Sequence, residues 1–261
     1  MDDETLNRYT RQMVLPDFGY EGQEALRDAH VMIVGLGGLG SPAAIYLAAA
    51  GIGELTLADF DRVALSNLHR QILYDDHDLG HKKTAAAAGR LQEINRTLLI
   101  HSLDKKITVD HIVTAIDGVD IVLDCTDNFA TRYAVNQACV DKGKPLISGA
   151  AIRLEGQIAV FNNTPRSPCY ACLYPDATDV GERCSDVGVI GPLVGIIGSM
   201  QALEAIKLIT GIGEPLDSRL LLLDAATLQW RNLKLNKDPG CAVCGDLKNL
   251  TTEGTENTEK K

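Results

Sequence analysis

Three glycines, Gly35, Gly37 and Gly40, stand in the spacing GxGxxG between an apolar run and a helix-forming segment. Such a turn needs backbone angles that glycine adopts easily, and the absent side chains let phosphates approach the N-terminus of the following helix. Asp59 closes the next apolar run, where a carboxylate can bond ribose hydroxyls. Together these residues predict an adenine-nucleotide site, with both NAD and ATP compatible.

Charged residues follow the later apolar runs and favour ATP. Arg70 comes after the second run, Lys83 begins the next helical segment, and Asp127 follows the fourth run. Cleavage of a triphosphate moves charge onto pyrophosphate, which Arg, Lys and a carboxylate-held Mg²⁺ stabilise. Hydride transfer from a nicotinamide has no such need, so an NAD-dependent dehydrogenase explains the glycines and Asp59 but not these cations. Each cation taken alone is typical of a solvated surface.

Four of the seven cysteines form two C-x-x-C pairs, Cys169 with Cys172 and Cys241 with Cys244. In a reducing compartment this spacing favours a metal over disulfides. The pairs lie much further apart than in a zinc ribbon, so free thiols remain an alternative at this point. Cys125 and Cys139 lie on apolar strand and helix faces and are typical of core packing.

Composition limits the classes of partner. The chain has 261 residues, 45% of them hydrophobic, and a net charge of −10. An acidic surface repels phosphate backbones, so we expect no nucleic-acid partner. The sequence contains no run of 18 apolar residues, and its first residues are too polar for a secretory signal. We therefore expect a cytoplasmic protein with no membrane span.

The apolar and amphipathic runs alternate along the chain. They predict strands at 30–35, 54–61, 97–103, 120–127, 145–152, 156–161, 219–224 and 228–235, and helices at 4–29, 41–51, 80–96, 108–116, 128–142 and 193–210. Ser41 is the expected N-cap of the helix after the glycines. The fold class is α/β, a doubly wound and mostly parallel Rossmann-like sheet with an added antiparallel C-terminal portion.

One domain is expected over residues 1–245, with its nucleotide-binding part at about 30–145. The last segment, 246–261, is polar and lacks aromatic residues. Such a composition cannot bury enough apolar surface to fold, so we expect a disordered tail.

Eight segments in order resemble one family. They are RYTRQ (8–12), GLGGLGSP (35–42), LADFDRVALSNLHRQ (57–71), GHKKT (80–84), LDCTDN (123–128), GAAIRLEGQ (149–157), CYACLYP (169–175) and GCAVCG (240–245). Over residues 4–245 the chain is similar to bacterial adenylyltransferases related to ubiquitin-activating enzymes. The resemblance implies ATP-dependent adenylylation of the C-terminal glycine carboxylate of a ubiquitin-like sulfur carrier, with Mg²⁺ as catalytic ion.

The resemblance also implies roles for particular residues. The nucleotide is expected at Gly38, Asp59, Ser66, Asn67, Leu68, His69, Arg70, Lys83, Asp127 and Asn128. Gly38 would lie against the phosphates, Asp59 against the ribose, and Lys83 would clamp phosphate. Asp127 would bind Mg²⁺ with Asn128 beside it. His69 departs from the family, since relatives usually carry Gln there.

Arg11 resembles an arginine that the family supplies from the other subunit of a homodimer. With Arg70, Lys83 and Asp127 it completes the expected catalytic set. An arginine finger of this kind stabilises developing charge on the phosphates. From the sequence without the resemblance, Arg11 is typical of a helix-surface charge.

For the cysteine pairs the resemblance implies one structural Zn²⁺ held by Cys169, Cys172, Cys241 and Cys244, with no open position for water. Cys184 stands where relatives form a covalent link to the carrier. A bystander cysteine is an equally good interpretation of Cys184.

Two branches of the family remain open. GAAIRLEGQ (149–157) favours the molybdopterin branch, whose carrier is the small subunit of molybdopterin synthase and serves molybdenum-cofactor biosynthesis. LYPD (173–176) and LQWRNLKL (228–235) also resemble the thiazole branch of thiamine biosynthesis. The carrier is expected to end in Gly-Gly. Some relatives carry an added sulfurtransferase domain after this region, where we expect only a short tail. A separate sulfurtransferase or cysteine desulfurase is therefore the expected sulfur donor.

Overall fold

A computed structural model describes residues 2–175 and 188–245. The helices are Asp3–Met13 (α1), Gly19–Asp28 (α2), Gly40–Ala50 (α3), Lys83–Ile94 (α4), Val109–Ala115 (α5), Phe129–Lys142 (α6), Tyr170–Leu173 (α7) and Gly191–Thr210 (α8). The strands are His30–Val34 (β1), Glu54–Ala58 (β2), Leu99–Leu103 (β3), Ile121–Asp124 (β4), Leu146–Ile152 (β5), Glu155–Phe161 (β6), Arg219–Asp224 (β7) and Gln229–Lys234 (β8).

All eight strands form one sheet in the order β3-β2-β1-β4-β5-β6-β7-β8. The pairs from β3 to β5 are parallel, and the pairs from β5 to β8 are antiparallel. The fold class expected from the sequence is confirmed. The strand order reverses between β1 and β4, so the carboxyl ends of these two strands flank the crevice where α/β sheets bind ligands.

Helices cover both faces of the parallel strands, which explains their continuous apolar runs. On one face, Ile33 and Leu57 belong to a core cluster shared with α2, α3, α4 and α8. On the other face, Met32, Val34 and Val122 pack with residues of α5, α6 and α7. Ligands can therefore reach the parallel half only at the ends of its strands.

Two expected details of the helices were wrong. The helix expected over 4–29 is two helices, because Pro16 lies between α1 and α2 and a proline removes a helical hydrogen bond. Ser41 is not an N-cap: α3 begins at Gly40 after Leu39. Ser41 is fully buried, and its Oγ lies 3.5 Å from the carbonyl oxygen of Leu36.

Within the described ranges, α8 is the one helix long and apolar enough to cross a membrane by length and composition. Its side chains Leu193, Ile197 and Ala205 are buried in the core cluster that covers the sheet. In this fold α8 is a central packing helix, although the sequence indicated no apolar stretch of that kind.

Two positions of the GxGxxG turn require glycine, because other backbone atoms lie close to them. Gly35 has φ +90°, and a Cβ there would lie 2.8 Å from the Cys125 carbonyl oxygen. A Cβ on Gly40 would lie 1.9 Å from the carbonyl oxygen of Gly35. Backbone cannot move aside as a flexible side chain can, so the turn excludes any side chain at Gly40.

We expect Gly40→Ala to lower the free energy of unfolding by about 2–3 kcal/mol or more, as overpacking against backbone does. Gly89→Ala is the matched control. Gly89 lies exposed within α4 with nothing within 4 Å of its added Cβ. Alanine there should stabilise the helix by about 0.5–1 kcal/mol. Urea unfolding measures both, and equal effects of the two substitutions would contradict the geometry of the turn.

Candidate functional site

A cavity of about 640 Å³ opens at the carboxyl ends of the parallel strands and continues over the antiparallel half of the sheet. Seven of the residues expected at the nucleotide line it, namely Gly38, Asp59, Asn67, Arg70, Lys83, Asp127 and Asn128. The structure therefore brings together groups that are separated by up to ninety positions in the chain. Ser66, Leu68 and His69 belong to the same segment as Asn67 but are not among the lining residues.

Asp59 ties the glycine turn to the end of β2. Its Oδ2 accepts a hydrogen bond from the backbone N–H of Leu36 at 2.8 Å, and its Oδ1 accepts one from the N–H of Asp61 at 2.8 Å. The carboxylate is buried. These two hydrogen bonds fix the orientation of the carboxylate at this end of the cavity.

Lys83 lies between two carboxylates. Its side chain is almost fully buried, with Nζ 2.9 Å from Oδ2 of Asp61 and 3.8 Å from Oδ2 of Asp59. Burying an ammonium is unfavourable unless it is paired, and these carboxylates supply the pairing. Asp61 also lines the cavity but was not among the expected residues. The sequence offered one indication of Asp61, because it lies two positions after Asp59 in the segment DFD (59–61).

Arg70 is held by its own segment. Its guanidinium donates to the Ser66 carbonyl oxygen at 3.0 Å and to Oδ1 of Asn67 at 2.9 Å. The ring Nε2 of His69 lies 2.8 Å from Nη1 of Arg70. In the expected segment 66–70, Arg70 thus lies at the cavity, and Ser66 and His69 orient its guanidinium.

The turn after β4 is built around a fully buried carboxylate, Asp124. It accepts hydrogen bonds from the backbone N–H of Thr126 at 3.0 Å and from the hydroxyl of Ser148 at 3.0 Å. Asp127 itself is exposed at the cavity, and Oδ1 of Asn128 caps α6 by accepting from Thr131 N–H at 2.9 Å. The buried Asp124 therefore fixes the turn, while the carboxylate of Asp127 lies at the cavity.

Arg132, buried in α6, was not expected from the sequence. It donates to the carbonyl oxygens of Thr126 and Gly149, and its Nε lies 3.9 Å from Oδ2 of Asp124. Arg132 lines the cavity. It joins the turn before Asp127 to strand β5. The hydrophobic periodicity of the sequence could not reveal this role, because it predicts that a polar residue of α6 faces solvent.

Gln71 was also missed. Its carboxamide lines the cavity beside Gly37 and is almost fully buried, yet its Oε1 has no hydrogen-bond partner among the described residues. A buried polar atom without a partner is rare in folded proteins. The position beside the glycine turn makes Gln71 a candidate nucleotide contact.

Arg11 lies far from the cavity of its own chain. It is exposed in the last turn of α1. On the same helix, Gln12 donates to the Ala50 carbonyl oxygen at 2.8 Å and Arg8 donates to that of Ile94. Those carbonyls belong to the last residues of α3 and α4, which run antiparallel to the strands. Helix α1 therefore lies at the amino ends of the parallel strands, opposite the cavity.

The four expected metal ligands converge. The sulfur atoms of Cys169, Cys172, Cys241 and Cys244 all lie within 4.8 Å of one another. Sγ of Cys169 is 3.8 Å from Sγ of Cys241, and Sγ of Cys172 is 3.4 Å from Sγ of Cys244. Tetrahedral zinc with bonds of about 2.3 Å places its sulfurs about 3.8 Å apart, so this donor set fits Zn²⁺.

Polar groups around the cysteines suit thiolates. The backbone N–H of Val243 donates to Sγ of Cys241 at 3.4 Å, and Nδ2 of Asn136 donates to Sγ of Cys169 at 3.6 Å. Burial raises the pKa of Cys169 to about 11. A bound cation would offset that burial, and such donors orient and stabilise the ligands.

Two other cysteines are not metal ligands. Burial raises the pKa of Cys125, and the nearby carboxylate of Asp124 raises it further, so this thiol in the cavity wall stays protonated. Cys139 is fully buried in the core, as expected. Cys184 and the tail at 246–261 lie outside the described residues.

Comparison with known proteins identifies relatives over nearly the whole chain. The family model described as ThiF family matches residues 9–243. The chain is 46% identical over 245 residues to a molybdopterin-synthase adenylyltransferase of Salmonella typhimurium, covering 94% of this chain and 98% of the relative. It is 45% identical to the sulfur carrier protein ThiS adenylyltransferase of Escherichia coli, covering 94% and 97%.

A solved structure of E. coli MccB with ATP superposes with a TM-score of 0.81 at 24% identity. It covers 94% of this chain and 77% of that chain. At this identity the likeness concerns the fold alone.

The cysteine cluster leads to a test by metal analysis. We expect about one zinc per purified chain, and Cys172→Ser should abolish stoichiometric zinc and lower thermal stability, because a structural site contributes its binding energy to folding. Cys139→Ala is the control, since it removes a buried thiol outside the cluster and should keep the zinc. Elemental analysis that finds no metal in the wild-type chain would refute the site.

Proposed function

The chain belongs to the ThiF family, and we propose that it is an ATP-dependent adenylyltransferase acting on the C-terminal carboxylate of a ubiquitin-like sulfur carrier. In this reaction a carboxylate oxygen attacks the α-phosphorus of ATP. The bond from that phosphorus to the bridging oxygen of pyrophosphate breaks, giving an acyl-adenylate and pyrophosphate. The observation that supports this function is the gathering of Arg70, Lys83 and Asp127 around one cavity beside the glycine turn.

The positive groups suit the charge that this reaction moves. We assign Gly38 and Lys83 to the phosphates and Asp59 to the ribose, with Arg70 on the charge that develops on pyrophosphate. Preorganised cations are effective because they need no reorientation during the reaction. Here Arg70 and Lys83 are already fixed by hydrogen bonds and ion pairs.

Asp127 is our candidate for holding Mg²⁺, with Asn128 beside it. A bound Mg²⁺ neutralises phosphate charge and orients the triphosphate. Within residues 2–175 and 188–245, the Asp127 carboxylate is not engaged in a salt bridge, whereas Asp59, Asp61 and Asp124 are. Among these four carboxylates, which all follow or end parallel strands, Asp127 is the one that remains available to a metal.

The carrier would approach over the antiparallel half of the sheet. The cavity continues there along Gln157, Leu222 and Arg231. Beyond it, strand β8 is exposed along its whole length and presents Trp230 and Leu233. We assign this surface to the globular body of the carrier and the cavity to its flexible Gly-Gly tail.

For the identity of the carrier we propose the small subunit of molybdopterin synthase. The segment 149–157 favours it, and it lies on β5 and β6 next to the cavity. The thiazole-pathway carrier is the second candidate, because the relatives of the two kinds are 46% and 45% identical to this chain. A separate sulfurtransferase or cysteine desulfurase would then supply the sulfur that displaces AMP.

We also propose a homodimer in which each chain supplies Arg11 to the cavity of the other. The placement of α1 at the amino ends of the parallel strands, opposite the cavity, supports this arrangement, because Arg11 cannot serve the cavity of its own chain without leaving its helix.

Carrier-dependent exchange of pyrophosphate into ATP tests the proposed function. Exchange with the molybdopterin-synthase subunit and not with the thiazole carrier is the expected result. Asp127→Asn should lower the exchange rate by at least about 100-fold, in the range found when one transition-state contact is removed. Asp117→Asn is the control, because this exposed carboxylate pairs with Lys142 on the surface and its loss should leave the rate unchanged. No exchange with either carrier would reject the function.

Subunit mixing tests Arg11. Arg11→Ala and Asp127→Asn chains are expected to be inactive alone. After unfolding together and refolding, half of the dimers are mixed, and each mixed dimer has one cavity with an intact Asp127 and an intact Arg11 from its partner. Activity should return to about a quarter of wild type by random pairing in a symmetric dimer. If Arg11 acts in its own chain, mixing restores nothing.

A further inference from the structure

The hydroxyl of Tyr170 is a buried polar group without a partner for its proton. Tyr170 is 1% exposed and lines the cavity, and within the described part of the chain its hydroxyl makes no hydrogen bond of good geometry. The guanidinium of Arg132 interacts with the hydroxyl oxygen but can only donate, so the hydroxyl proton has no acceptor. Leaving a buried hydroxyl unpaired destabilises the folded chain, whereas phenylalanine would fill the same space without that penalty. The tyrosine therefore requires an explanation other than packing.

The ring cannot turn its hydroxyl elsewhere. Tyr133 and Phe161 pack edge-on against it, with ring centroids 5.6 and 6.0 Å away. The backbone is held as well, since Tyr170 N–H donates to Oδ1 of Asn136 at 2.8 Å while Nδ2 of Asn136 donates to Sγ of Cys169 at 3.6 Å. The cysteine cluster thus fixes the residue that follows its first ligand.

The residues around Tyr170 belong to the end of the cavity that we assign to the carrier. Tyr174 lies beside Tyr170, with ring centroids 5.1 Å apart, and its own hydroxyl donates to Oε1 of Gln157 on β6 at 2.9 Å. Arg132, in the same wall, bridges the turn before Asp127 and Gly149 on β5. A chain entering over β6 and ending at Asp127 passes this wall.

We propose that the Tyr170 hydroxyl is a specificity-determining group that donates a hydrogen bond to a main-chain carbonyl of the carrier's terminal glycines. This assignment rests on the proposed function. Glycines offer no side chains to recognise, so a site selects them by hydrogen bonds to their backbone and by a channel too narrow for larger residues. The hydroxyl of Tyr174 already donates its proton to Gln157. Of these two tyrosines in the cavity wall, Tyr170 is therefore the one whose hydroxyl proton can bond a peptide.

Tyr170→Phe tests the assignment, with Tyr133→Phe as the matched control from the same aromatic cluster. Tyr133 is not among the lining residues, and its hydroxyl donates to the Tyr174 carbonyl oxygen. We expect Tyr170→Phe to lower kcat/KM for the carrier by about 3- to 10-fold, as the loss of one hydrogen bond does. KM for ATP should stay unchanged, and the zinc content and the melting temperature should not fall.

For Tyr133→Phe we expect the opposite pattern. It should keep kcat/KM for the carrier and lower the melting temperature by about 2–4 °C, because it breaks a hydrogen bond within the fold. A melting temperature that falls in Tyr170→Phe, with unchanged kcat/KM, would show a structural hydroxyl and overturn the proposal.

Carrier binding with and without the terminal Gly-Gly locates the contact. Tyr170→Phe should weaken binding of the full carrier and leave binding of the shortened carrier unchanged. Equal weakening of both would place the effect on the carrier body and contradict a contact with the tail. The wild-type chain is assayed first for carrier-dependent exchange. Its inactivity would reject the proposed function, whereas an active wild type beside an unaffected Tyr170→Phe rejects only the role of the hydroxyl.

Discussion

The carboxylate of Asp59 sets the geometry on which the nucleotide end of the cavity depends. It binds the N–H of Leu36 in the glycine turn and lies 3.8 Å from the ammonium of Lys83 at the start of α4. One buried anion thus joins the ends of β1 and β2 to the next helix. Because helices cover both faces of the parallel strands, this edge is the place where the sheet can accept a ligand.

Much of this arrangement could be predicted from the sequence, for a physical reason. A strand buried on both faces needs a short apolar run, and the carboxyl ends of parallel strands meet at one edge. Residues just after such runs, such as Asp59 and Asp127, must therefore be neighbours. The cysteine pairs were less certain, since only the resemblance to a family favoured zinc over free thiols, and the convergence of the four sulfurs within 4.8 Å supports it.

The rest of the cavity could not be predicted because it depends on three-dimensional packing. Arg132 and Tyr170 lie on helices whose periodicity does not separate a cavity wall from a core. Pro16 breaks the first helix, yet a proline at that position is also compatible with a kink.

The proposed function would divide two tasks between the halves of the single sheet. Strands β1 to β5 carry the glycine turn and the charged groups, whereas β6 to β8 carry Gln157, Leu222 and Arg231 at the far end of the same cavity. During evolution, a lineage could exchange residues on the antiparallel half and acquire a new protein partner while its reaction stayed intact. Relatives named for two different pathways, each about equally similar to this chain, are the outcome that such a division makes easy to reach.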